Sequence, residues 1–65
     1  MTKIVANTIK AMSHVGSSYE LNQLDAAAEI LFTNDVISGD EYDEIHHYYR
    51  THWFNEKSGQ VEILD

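Results

Sequence analysis

Apolar residues recur at intervals of three and four through most of this chain, and glycines at 16, 39 and 59 divide that pattern into four segments. In the first, Val5, Ile9 and Met12 share one helical face while Lys3, Asn7, Lys10 and His14 share the other, which predicts an amphipathic helix ending near Gly16. The Ile, Val and Thr content also suits a strand over 2–9, and this is the competing reading. The second segment opens with Ser17 and has Glu20 three residues on, the spacing at which hydroxyl and carboxylate cap each other's backbone amides. Leu21, Leu24, Ala28 and Leu31 then form an apolar face widened by Ala27, Ile30 and Phe32, with Asn22, Asp25, Glu29 and Thr33 opposite. A helix over 18–33 follows, ended by the turn formers Asn34 and Asp35.

The start signal repeats at Ser38 and Glu41, with Asp40 and Glu41 in the first turn, where the helix dipole favours negative charge. Tyr42, Ile45, Tyr49 and Trp53 continue the period and predict a third helix over 40–51. So short a connection makes the two helices antiparallel neighbours in a hairpin. Residues 55–59 read as a polar turn. Val61 and Ile63 alternate within a strand over 60–64 that pairs with 52–55. The expected fold is mainly α, a single domain over 1–65 of two or three short helices with a short C-terminal strand. Its expected core is Leu24, Leu31, Ile45, Tyr49 and Trp53. The alternative is α+β, with strands from the two termini pairing beside the hairpin.

Residues 35–45, a turn followed by Ile37, Ser38, Glu41, Tyr42 and Ile45, resemble the pattern joining the helices of the short bacterial C-terminal domains called SHOCT and of short phage proteins of the XkdX type. The resemblance implies a helical hairpin in a small bacterial or phage protein. Where SHOCT domains usually continue with basic residues, this chain has His46, His47, Tyr48 and Tyr49, and no functional residue carries over.

Charge changes the picture most. Between Ala11 and Tyr49 stand eight carboxylates, Glu20, Asp25, Glu29, Asp35, Asp40, Glu41, Asp43 and Glu44, with no Lys or Arg among them, and the net charge is −7. Counterion release, the main source of nucleic-acid affinity, requires clustered Lys and Arg, so direct nucleic-acid binding is not expected. The same sign disfavours anionic membranes, and no apolar run approaches the roughly 20 residues of a spanning helix. Asn7, Thr8 and Lys10 interrupt any signal-peptide core, which makes a cytoplasmic protein the expectation. There is no cysteine, so disulfides and thiolate zinc sites are ruled out. A chain of this size rarely has a hydrophobic surplus above about 3–5 kcal/mol, which leaves self-association, a partner or well-packed helices to make up the shortfall.

Asp25 and Glu29 lie about 6 Å apart along a helix axis, where like charges cost an isolated helix roughly 0.2–0.5 kcal/mol that a basic partner would relieve. With Asp40, Asp43 and Glu44 they form a carboxylate surface that could imitate successive phosphates and enter the nucleic-acid groove of another protein. The same charges also serve as a solvated face that keeps a small protein soluble. Five of the seven aromatic residues and three of the four histidines fall between 42 and 54, and Tyr48 and Phe54 are the candidate apolar anchors at the margin of the core. Glu44 and His47, or Asp43 and His47, have metal-ligand spacing, but His52 points about 140° away from His47 on a continuous helix. No metal or cofactor is expected unless an oligomer interface or a break near Thr51 gathers the ligands, and His46, His47 and His52 read as surface or carboxylate-paired residues, with a metal or pH sensor as the third alternative. The serines sit in capping and turn contexts and no Gly-rich phosphate loop is present, so no enzyme is expected. The functional expectation is a small acidic inhibitor or modulator that binds a basic, nucleic-acid-handling protein. The alternative is an assembly protein that forms a homodimer or joins a scaffold through its aromatic helix face.

Overall fold

Three helices and a C-terminal hairpin follow one another in a computed structural model that describes residues 2–64. Helix α1 (Lys3–Ser13) begins where the Thr2 hydroxyl accepts the Val5 amide at 3.3 Å, and it buries Val5 and Met12. The cap and the helical spacing of its buried residues decide against a strand over 2–9. The α+β alternative falls with it.

Helix α2 (Ser18–Thr33) has Ser17 as its cap, accepting the Glu20 amide at 3.1 Å. The Glu20 carboxylate reaches back to the Gly16 amide at 3.0 Å, one residue earlier than a reciprocal capping box requires. Its far end is a Schellman turn, with Val36 N–H donating to Leu31 O at 2.9 Å and Asp35 N–H to Phe32 O at 3.1 Å. Asp35 takes the left-handed conformation, φ 60°, where glycine is usual and Asp is among the few tolerated alternatives.

Helix α3 (Gly39–Thr51) starts on a complete capping box. Ser38 Oγ accepts the Glu41 amide at 3.2 Å, and Glu41 Oε1 accepts the Ser38 amide at 2.8 Å. The other Glu41 oxygen accepts the Thr2 hydroxyl at 2.7 Å, tying the starts of α1 and α3 together. These hydrogen bonds, that from the Ser38 backbone foremost, hold the Glu41 carboxyl below its ordinary pKa of 4.5. Stability from the ionised cap is therefore complete above that pH and lost as pH falls through the folded value. A Glu41→Gln variant keeps an acceptor for the Ser38 amide, and its thermal midpoint is expected to vary less between pH 5 and pH 3 than that of the wild type, as read by circular dichroism.

Strands β1 (His52–Asn55) and β2 (Gln60–Ile63) pair antiparallel in the register His52↔Ile63 through Asn55↔Gln60. The Asn55 side chain accepts the Lys57 amide at 2.9 Å, and Gly59 supplies a positive φ of 69° in the turn. The fold is thus mainly helical with a two-stranded sheet at the C-terminus.

The core consists of Val5, Met12, Leu21, Ala28, Ile37 and Ile45, with Leu24, Leu31, Tyr42, Tyr48 and Tyr49 packed half-buried against it. Trp53, expected inside, is 43% exposed, and Phe54, expected at the margin, is 7% exposed. The cause is the change of period at Thr51. Extending the helical spacing from Tyr49 points Trp53 inward, whereas in a strand adjacent side chains face opposite ways and Phe54 takes the inner side. Among the described residues no helix is long and apolar enough to cross a membrane.

Candidate protein-interaction surface

Helices α2 and α3 carry the carboxylate-rich segment, and three of its eight acidic side chains are engaged within the fold. Glu20 and Glu41 serve the two helix starts. Asp25, 9% exposed, lies inside the helix pair with its oxygens 3.0 and 3.2 Å from His46 Nδ1. Nδ1 must carry the proton of that hydrogen bond, because a carboxylate only accepts. Asp25 therefore faces a histidine within its own chain, away from the surface where the sequence reading put it. A partial signal was present: on the helical wheel Asp25 falls about 40° from Leu21 and about 60° from Ala28, at the edge of the buried arc.

Among the described residues, the remaining five, Glu29, Asp35, Asp40, Asp43 and Glu44, have no side-chain hydrogen bond or ion pair, and all five are exposed. Asp40, Asp43, Glu44 and His47 occupy about 100° of the outward side of α3. Tyr42 lies on α3 and senses carboxylates of both helices. Its pKa is pushed up, chiefly by burial and then by Asp25, Glu29 and Asp43. Tyr42 belongs to an aromatic row along the seam of the hairpin, with ring centroids 5.4 Å from Phe32 and 5.5 Å from His46, and His46 in turn lies 6.1 Å from Tyr49. The Tyr49 hydroxyl donates to Asn22 Oδ1 at 3.1 Å, closing the seam. No spacing rule in the sequence identifies this row in advance, because it combines residues of two helices.

Tyr48 lies on the other side of α3. Its ring stacks on His52 with centroids 3.7 Å apart and planes 10° from parallel, and burial pushes its hydroxyl pKa up. It helps line an open groove of about 670 Å³ together with Ile9, Asp43 and Glu44. The structure thus brings Asp43, Glu44 and Tyr48 together at the groove, carries Glu29 on the facing helix α2, and leaves Asp40 one turn earlier on α3. Phe54 is in the interior and Asp25 in the seam. Among the described residues no three His, Asp or Glu side chains are placed to share a metal ion.

No protein-family model, curated protein or solved structure matches this chain.

Proposed function

We propose that this is a non-enzymatic acidic binding protein, an inhibitor or modulator of the bacterial or phage kind, that docks its carboxylate face on a basic, nucleic-acid-handling protein. The observation that supports it is the set of five exposed, uncommitted carboxylates on the α2–α3 hairpin and its connection, in a stretch that contains no Lys or Arg. A surface of one sign creates a potential that steers an oppositely charged partner and fixes its register. Glu29, Asp40, Asp43 and Glu44 supply the charge in this reading, and Tyr48 supplies apolar contact beside it. Asp25 contributes by holding His46 in the seam, and Phe54 by anchoring the terminal hairpin.

Affinity capture from bacterial lysate tests the reading. The tagged protein is expected to retain a basic partner at low salt and release it at high salt. A Glu29→Lys, Asp43→Lys variant is expected to capture none. A Glu56→Lys control in the exposed β-turn captures as well as the wild type.

An assembly reading that uses the terminal hairpin in place of the aromatic helix face draws on a different observation, the exposure of Trp53 at 43%, Ile63 at 67% and Leu64 at 56%. Both strands of that two-stranded sheet have a free edge. Association through this region would persist in the high-salt wash.

A further inference from the structure

We infer that the groove between α1 and α3 is the seat of an arginine side chain carried by the basic partner, an inference that rests on the acidic-binding reading above. Ile9 of α1 and Asp43, Glu44, His47 and Tyr48 of α3 line the groove, and His52 stands where α3 passes into β1. Arg50 also borders it, yet among the described residues it forms no ion pair with Asp43 or Glu44.

The hydrogen bonds at the C-terminal end of α3 fix the character of His52. Its Nδ1 lies 3.0 Å from Tyr48 O and 3.0 Å from Thr51 Oγ1. A carbonyl oxygen only accepts, so Nδ1 carries the proton. Thr51 meanwhile donates its own proton to His47 O at 2.9 Å and can accept from Nδ1. In the neutral ring this leaves Nε2 as an acceptor. The groove therefore combines two uncommitted carboxylates with an apolar and aromatic wall formed by Ile9 and the stacked Tyr48–His52 pair, whose imidazole keeps an acceptor nitrogen free of the Nδ1 hydrogen bonds.

Its complement is a group that is cationic, planar and composed only of donors. Guanidinium meets all three conditions, with five N–H donors, no acceptor, and a flat face that stacks on aromatic rings. A lysine ammonium matches the charge but does not stack as a plane. Phosphate and carboxylate ligands are repelled by Asp43 and Glu44.

The test is ¹⁵N-detected NMR titration of the whole protein with a short blocked arginine peptide, beside otherwise identical lysine and citrulline peptides. The expected result is amide shifts confined to Ile9, Asp43, Glu44, Tyr48, His52 and their neighbours. Binding is expected to be weaker for lysine and absent for citrulline, the uncharged isostere. Glu44 is exposed and unbonded within the fold, so Glu44→Gln preserves the structure, and it is expected to weaken arginine-peptide binding about tenfold, as for loss of a hydrogen bond to a charged group. Equal shifts with citrulline, or no shifts with any peptide, overturn the inference. Shifts at Glu29, Asp35 and Asp40 with the groove silent also overturn it, while leaving the wider acidic-surface reading standing.

Discussion

An Ile45→Ala variant is expected to be largely unfolded at room temperature, whereas Trp53→Ala is expected to melt close to the wild type. Ile45 is 0% exposed at the middle of α3 and belongs to the cluster that joins all three helices through Val5, Met12, Leu21 and Ala28. Truncating a buried isoleucine costs about 2–5 kcal/mol in lost transfer energy and residual cavity. That matches the whole surplus of about 3–5 kcal/mol available to a domain this small, so one deletion is sufficient to unfold it. Trp53 is the larger side chain, but it projects from the outer side of β1 opposite Glu62 and is 43% exposed. Its removal forfeits only partial burial. Far-UV circular dichroism melts of the two variants decide the matter, and a larger loss from Trp53→Ala would mean that the helices are not organised around Ile45.

The second large effect concerns the Asp25–His46 contact. His46→Phe keeps an aromatic ring in the row between Tyr42 and Tyr49 but removes the donor, leaving a carboxylate that is 9% exposed without its side-chain partner. An unsatisfied buried polar group costs about 1–3 kcal/mol, and the 34% exposure of the His46 side chain places this site toward the lower part of that range because water shares the screening. Asp25→Asn retains an acceptor oxygen for Nδ1–H and is expected to cost less. Combining His46→Phe with Asp25→Leu removes both polar partners and is expected to recover part of the loss, a coupling that urea denaturation of the two singles and the double measures directly. Strict additivity would show that the two side chains act independently.

Most of the architecture was legible because the chain states its helix starts locally. Ser17 with Glu20 and Ser38 with Glu41 mark two of the three, and the structure begins α2 at Ser18 and α3 at Gly39, within one residue of the boundaries expected from the sequence. The terminal hairpin was legible for a similar reason, a polar turn with Gly59 between two alternating segments. The core was less legible. Helical spacing alone favoured the large residues Tyr49 and Trp53, whereas the packed centre uses Val5 and Met12 from α1, a helix whose identity the β-branched residues at 4, 5 and 8 had left open. Trp53 and Phe54 exchanged places because the period changes from 3.6 to 2 at a boundary that no glycine or proline marks.

The candidate surface was legible as a charge pattern and illegible as a geometry. Charge counting treats Asp25 and Glu29 alike, yet Asp25, the nearer of the two to Leu21 on the helical wheel, lies in the helix seam against His46 of the facing helix and Glu29 lies on the surface. The groove beside Tyr48 likewise needs Ile9, which is separated from α3 by the whole of α2 and comes to its wall only through the packing of α1. Neither juxtaposition has a signature within one segment.

The most direct test of the acidic-binding account is the affinity of the captured partner, purified, for the wild type, for Glu29→Lys with Asp43→Lys, and for Glu56→Lys, measured by calorimetry over a range of salt concentrations. The account predicts that affinity falls as salt rises, that the double reversal on the helical face weakens binding by about a hundredfold or more, and that the β-turn reversal changes it by no more than about twofold. Binding indifferent to salt, or equal losses at the helical face and the β-turn, would contradict it.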